Sequence, residues 1–401
     1  MPPSPPVLIA GAGPVGLALA YALGREGHPV LLVEQNPELA EDLRASTFHP
    51  PTLDMLAGLG VVEDMLRLGL VAPVWQVRER RDGRLVAEFD LSLLKDDSAH
   101  PYRVQVEQFK LARLLKAKLD ALDTVRLRFA TRLVGLEQDA DGVVASVEDV
   151  GSGARERIAG SHLVGCDGTG SRVRQCLGVA YEGYTYPERF FSISTPFDFQ
   201  ARIPGLAYVS YFADPDEWCF LLRVPEFWRV MFPVPAGEAE AETRSEAMVQ
   251  RRLKGLLAAD GDYPVAHRTL YRVQQRIAEH WHRGRVLLTG DAAHNNNPLG
   301  GMGLNSGLHD ALNLAEKLAA VLRGESGAEA FQRYERQRRW VAVEHVNQMA
   351  ARNKRLLEER DPAVRRRALD GLAATAADPA RAYRFLLDSS LIASLRTAAT
   401  L

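Results

Sequence analysis

Gly11, Gly13 and Gly16 stand in the stretch "GAGPVG", directly after the apolar run Val7 to Ala10. They precede "LALAYALGREG", in which Leu17, Ala20, Tyr21 and Gly24 recur at helical spacing. Glycines so placed suit phosphate chemistry: Gly11 permits a tight turn, Gly13 lets a pyrophosphate approach the backbone, and Gly16 lets the helix pack on the strand. The helix opens with Pro14 and Val15, and its free N–H groups can face phosphate oxygens. The next apolar run ends in Glu34, followed by Gln35. A carboxylate there can accept a hydrogen bond from an adenosine ribose hydroxyl and would repel a 2′-phosphate, so residues 7 to 34 read as a strand–helix–strand site for the ADP half of FAD or NAD rather than NADP.

A second cluster lies far downstream, in "GDAAHNNNPLGGMGLNSGLHDALNLAEKL". Asp291 ends the apolar run "RVLLTGD", a loop follows with Pro298, Gly300, Gly301 and Gly303, and a helix is expected to begin near Leu304 to Ser306, with Asn305 in its first turn. Taken alone, Asp291 is equally a turn or cap carboxylate.

The elements between these clusters alternate. Residues 50 to 70 read as helical, Val74 to Leu91 as a hairpin turning at Asp82-Gly83, and "VEQFKLARLLKAKLDAL" as an amphipathic helix. "SHLVGCDG" is a strand that stops at Asp167-Gly168. From Tyr184 to about Pro235 aromatic-rich strands predict an antiparallel sheet with one wet face, and everything after Gly324 reads as helix. The expected division is 1–73, 101–180 and 285–325 for a nucleotide-binding α/β domain, 74–100 for a hairpin excursion, 181–284 for a sheet domain, and 326–401 for C-terminal helices.

Bulk properties narrow the function. The chain has 401 residues, 46% of them hydrophobic, and a net charge of −2, so no basic field points to nucleic acid or an anionic membrane. The three cysteines, Cys166, Cys176 and Cys219, form no paired or metal-binding spacing, which fits a reducing, cytoplasmic location. The start lacks the basic segment of a signal peptide, and no apolar stretch reaches the roughly 18 residues of a membrane span. His280 and His282 lack a third ligand at metal spacing. His49 and His294 are read as supporting residues.

"GAGPVG" with Glu34, "CDGTGSRVR" (Cys166 to Arg174) and the Asp291 stretch together resemble the single-component FAD-dependent aromatic hydroxylases, the para-hydroxybenzoate hydroxylase-like flavoprotein monooxygenases. The resemblance spans most of residues 5 to 325. It implies a Rossmann-like FAD-binding α/β fold with an inserted antiparallel-sheet substrate domain and a helical C-terminus. It also implies that Arg44 and Gln108 sit beside FAD, that Asp167 and Gly168 lie near the pyrophosphate and take part in nicotinamide use, and that Asp291 contacts the ribityl chain. Cys166 stands where the family usually has Ala.

On that footing the second cluster makes physical sense. Asp291 can accept ribityl hydroxyls, while Pro298, Gly300 and Gly301 form a slot for the flavin ring. The helix start at Gly303, Leu304 and Asn305 presents positive N–H groups to the reduced, anionic flavin. No side chain is assigned as acid or base. The implied activity is hydroxylation of a small phenolic ring through a flavin C4a-hydroperoxide, with FAD resident, NADH or NADPH a transient co-substrate, and O2 consumed. Tyr211, Phe220, Trp228 and Phe232 are candidates for the pocket wall, although strand alternation makes half of them core. A homodimer stays open. A flavin-linked reductase of an isoprenoid or other unsaturated substrate, and a non-catalytic flavin-binding redox sensor, remain alternatives; the Trp-x-Trp-x-Ile-Pro signature of flavin halogenases is absent.

Overall fold

Short apolar runs build a parallel sheet at the centre of the computed structural model, which describes residues 5–41, 43 and 45–401. Val7–Ala10 lies between Val30–Val33 and His162–Gly165, and Val286–Leu288 pairs with the latter, all in parallel. Val125–Arg128 extends one edge, and the antiparallel pair of residues His282–Arg283 closes the other. The central strands are buried on both faces, which is why they read as unbroken apolar runs instead of alternating ones. The helix Pro14–Arg25 packs against both Gln108–Leu119 and Met302–Leu322. The opposite face is covered by an antiparallel meander, whose Leu133, Ala145 and Val147 face Leu8, Leu31 and Leu163.

An eight-stranded sheet forms the second layer. Its alternation is regular. Phe191, Ile193, Phe212, Leu221, Trp228 and Phe232 pack beneath Val249 and Leu253 of the helix Glu246–Leu256. Their neighbours Ser192, Tyr211, Phe220 and Met231 face a large cleft. The face expected to be wet is thus enclosed, in part by the C-terminal helices Pro362–Ala377 and Pro379–Ser389.

The hairpin Val74–Glu79 and Leu85–Asp90 forms as expected. Gly83 has φ +72° at its turn, and the Asp82 carboxylate accepts from Arg84 N at 2.9 Å. It also joins the eight-stranded sheet, because Val74–Glu79 pairs in parallel with Val209–Ala213. The stretch 50 to 70 divides into two helices, Pro50–Gly58 and Val62–Leu68, and is already a strand at Leu70. The helix after the Asp291 loop starts at Met302, two positions before the expected start, because Gly301 takes the left-handed conformation (φ +69°) that turns the chain into it. Gly324, at φ +73°, follows its C-terminus. Beyond it the chain is helical, with a π-helical stretch at Val341–Asn347. No helix among the described residues is long and apolar enough to cross a membrane.

One buried charge network fastens the C-terminal helices to this core. The Asp310 carboxylate accepts from Arg338 Nε at 2.6 Å and lies 2.7 Å from His294 Nε2. Arg338 also reaches Ser306 Oγ, and the His294 ring stacks on Trp281 at 5.1 Å between centroids. All three charged or titratable members are at most 3% exposed. Arg338→Met should therefore destabilise the protein by about 3 to 5 kcal/mol, because it strands a buried carboxylate, and adding Asp310→Leu should restore most of that loss. Urea denaturation of the single and double variants checks both outcomes.

Buried histidines set the acid limit. Burial pushes His309 down to about 3 and His162 down to about 4; His49 is held well below the ordinary value by burial and by the neighbouring Arg103 charge. As pH falls below about 6.5 the unfolded chain takes up protons at these sites while the folded chain does not, so acid favours unfolding. Stability measured by urea titration should decline from pH 7 to pH 5, by up to about 1.4 kcal/mol per pH unit for each such histidine. A flat profile over that range contradicts the neutral, buried state of these rings.

Candidate active site

A cleft of about 500 Å³ runs along the junction of the two sheets. At one end it is lined by Ala12, Gly13, Pro14, Val15 and Glu34. The turn here is forced by contact: a Cβ on Gly16 would lie 2.0 Å from the Gly11 carbonyl oxygen, and one on Gly11 (φ +103°) would lie 2.5 Å from that of Cys166. Gly13 is different, since a Cβ there would meet nothing within 4 Å. Its backbone borders open space, as a close-approaching ligand requires. The helix Pro14–Arg25 starts at this point with no side-chain cap and no acid in its first turn, so its N–H groups and positive dipole end remain available to an anion.

Glu34 sits beside that turn. Its carboxylate accepts from Ala12 N at 2.8 Å and from Asn36 N at 2.9 Å, which ties the second strand's end to the glycine turn. The residue thus shapes the turn as well as lining the cleft. Gln35 is exposed and faces an adjoining surface groove rather than the cleft. Arg44 lies outside the described residues. Gln108, the first residue of its helix, lines the cleft, and its N–H bonds the Ala45 carbonyl at 3.0 Å.

Asp167 and Gly168 follow the strand His162–Gly165. Asp167 Oδ2 accepts from Arg172 N at 2.7 Å and Val173 N at 3.1 Å, while Oδ1 is buried without a partner. Burial pushes this carboxyl above its ordinary range, against the pull of those N–H groups. Arg174 links this motif to the Asp291 loop: its guanidinium donates to Thr169 O and to Ala292 O, both at 2.7 Å, and lies over the Tyr181 ring at 3.7 Å. The sequence reading missed this bridge, although Arg174 is in the quoted motif. Tyr181 completes it by donating to the Asp291 carbonyl at 3.0 Å.

Asp291 lies in a short 3-10 turn, Gly290–Ala292, and lines the cleft midway. Further along come Asn295, Asn296, Pro298, Gly301, Gly303 and Leu304. The helix Met302–Leu322 starts here, again with no side-chain cap and no acidic first-turn residue. Asn296 Oδ1 is buried without a hydrogen-bond partner beside it. Asn305 has a different place from the one expected. It is fully buried and does not line the cleft; its Oδ1 accepts from His49 N at 2.9 Å and its Nδ2 donates to Thr47 O and Gly301 O. Gly300 lines a second chamber behind the loop, and its carbonyl lies 2.9 Å from His49 Nε2. His49 and His294 both support the walls, and neither lines the cleft.

The far wall belongs to the eight-stranded sheet. Tyr211 and Phe220, paired across neighbouring strands, line the cleft, whereas Trp228 and Phe232 lie in the core on the sheet's other face. The whole lining fits a dinucleotide that ends in a planar ring. An open glycine backbone and an uncapped helix start receive the phosphates, polar acceptors line the middle, and a loop with a second uncapped helix start closes the ring end.

Comparison with known proteins agrees with this geometry. Residues 4–349 match the family model described as FAD binding domain. The para-nitrophenol 4-monooxygenase of Pseudomonas sp. (strain WBC-3) is 33% identical over 386 residues, covering 95% of this chain and 94% of the relative. The 6-hydroxy-3-succinoylpyridine 3-monooxygenase of Pseudomonas putida (strain DSM 28022 / S16) is 31% identical, covering 89% and 90%. The crystal structure of p-nitrophenol 4-monooxygenase from Pseudomonas putida DLL-E4 superposes with a TM-score of 0.92 at 30% identity, covering 98% of both chains. With its glycine turn, its Asp291 loop and its two uncapped helix starts on one cleft, the chain belongs to the FAD-binding-domain family of flavoprotein monooxygenases.

Proposed function

We propose that this protein is an FAD-dependent monooxygenase that uses NAD(P)H and O2 to hydroxylate a small phenolic ring. One observation carries the reading: the helix starts at Gly13 and Gly301, both without side-chain caps, converge on a single cleft walled on its far side by Tyr211 and Phe220. The relatives named above act on nitrophenol and a hydroxypyridine, both hydroxylated aromatic rings. When bound, FAD supplies the redox chemistry, taking a hydride from the nicotinamide and activating oxygen.

The chain's own residues would do the rest. Gly13, Pro14 and Val15 would hold the pyrophosphate at the first helix start, Glu34 the adenosine ribose, and Asp291 the ribityl hydroxyls. Pro298 and Gly301 would hold the ring, with Gly300 behind them on the chamber side of the loop and Gly303 and Leu304 placing the dipole of their helix against the charge that develops on it. On the far wall, Tyr211, Phe220 and Met231 would pack against the ring and shield it in part from water. The redox-sensor reading needs a reactive thiol. Burial pushes the Cys166 thiol well up and the Cys219 thiol up to about 12, which disfavours the reactive thiolate at both. We place the protein in the reducing cytoplasm, where its unpaired cysteines stay reduced.

The purified protein should be yellow and release FAD on acid denaturation. Phenols, para-nitrophenol first, should accelerate its NAD(P)H oxidation and yield hydroxylated product with O2 consumed, while aromatic ligands that cannot be hydroxylated should divert the reaction to hydrogen peroxide. Turnover without oxygen consumption would favour the reductase.

Asp291→Ala separates a cofactor role from a turn role. The turn is closed by the backbone, Ala293 N donating to Gly290 O at 2.8 Å. The apoprotein should therefore keep its fold with at most a modest loss of stability, while FAD affinity falls by about 5- to 150-fold, the loss of about 1 to 3 kcal/mol. FAD dissociation and urea denaturation on the same variant check this. A destabilised apoprotein with near-normal FAD affinity would assign the carboxylate to the turn.

A further inference from the structure

Behind the Gly300–Met302 loop lies a second chamber of about 440 Å³, roofed by the helices Gln348–Glu358, Pro362–Ala377 and Pro379–Ser389. Tyr211 and Met302 line both this chamber and the cofactor cleft, so the two spaces adjoin. Apolar side chains such as Trp75, Leu356 and Phe385 make up much of its wall, and Arg352, Arg355 and Glu359 also line it. Into this lining projects Arg103, only 3% exposed. The guanidinium neighbours the Tyr211 hydroxyl and lies 5.2 Å from the centre of the Trp75 ring. Its Nε and Nη1 have no hydrogen-bond partner, and among the described residues no carboxylate pairs with it.

A buried cation with idle N–H donors is costly, and removing it would relieve that cost. An anionic ligand in the chamber would offset the buried charge. We propose that Arg103, with Tyr211, is a specificity-determining residue that binds the ionised oxygen of a phenolate substrate, the ring lying in the chamber against Trp75 and Phe385. This inference rests on the hydroxylase reading and adds the charge state of the substrate and the residue that selects it. The Arg guanidinium stays charged and offers a fixed N–H donor to that oxygen, and a neutral ether of the same ring can use it only weakly. An ionised phenol is also the more electron-rich ring, which an electrophilic hydroxylation favours.

The test uses the FAD-loaded enzyme and two probes, para-nitrophenol above its ionisation pH and its neutral methyl ether para-nitroanisole, with binding followed by the flavin absorbance change. Wild type should bind the phenolate at least about tenfold more tightly than the ether. Arg103→Met should lose about 10- to 150-fold in phenolate affinity and less than about threefold for the ether, and Arg103→Lys should recover part of the loss. The melting temperature adds a second readout: Arg103→Met should melt no lower than wild type, whereas a purely structural arginine predicts a clear drop. No phenolate preference in wild type, or equal losses for both probes, overturns the inference. If Arg103→Met does not fold, the structural role wins. Stimulation of NAD(P)H oxidation by phenols is scored separately in wild type: if it is present without charge preference, only this inference falls, and if no phenol binds or stimulates, the hydroxylase reading falls with it.

Discussion

The glycine loop that leads into the helix Met302–Leu322 depends on one buried amide. Asn305, inside the first turns of its helix, accepts from His49 N and donates to Thr47 O and Gly301 O, so a single side chain holds the loop, the helix start and the strand Thr47–Phe48 in one arrangement. Gly300 and Gly301 take positive φ, a conformation that glycine reaches freely but that does not hold itself in place. A loop free to adopt many conformations is useful in a close-fitting slot only when something outside it selects one. The Asn305 amide does so with three hydrogen bonds in a site that excludes competing water. His49, kept neutral by burial, adds a fourth point of attachment at the Gly300 carbonyl.

The same economy recurs at the motif junction. Motifs that line the cleft from more than a hundred residues apart in the chain must meet within a few ångströms, and Arg174 joins two of them through backbone carbonyls at Thr169 and Ala292. The Asp310, Arg338 and His294 cluster then fixes the long helix against the C-terminal one. Buried ionic groups of this kind add little net stability compared with apolar packing, yet they admit few alternative arrangements. In this protein they sit directly behind the cleft walls, where misplacement of the helix start would matter most.

The eight-stranded sheet divides its side chains between two tasks. Trp228, Val230 and Phe232 close a core beneath the helix Glu246–Leu256, while Tyr211, Phe220 and Met231 leave a partly open wall for a planar ring. Alternation with a period of two makes this possible without any special residue, since each strand feeds both faces at once.

Much of this was legible in the sequence because its causes are local. Glycine at Gly11, Gly13 and Gly16 reports backbone geometry, unbroken apolar runs report strands covered on both faces, and alternating aromatics report a two-faced sheet. Asp291 before a glycine-rich loop marked a segment that lines the cleft, for the same reason. The helix start at Met302 was misjudged by two residues, since Gly301 was read as loop when its left-handed conformation already begins the turn into the helix. Other features depend on partners far away in the chain and leave no local trace. The pairing of Val74–Glu79 with Val209–Ala213, the internal spending of Asn305, and the burial of Arg103 without a counter-ion belong to this class. Tertiary structure decided them, because whether a polar side chain faces water, a backbone amide or an empty chamber is set by what folds against it and not by its neighbours in sequence.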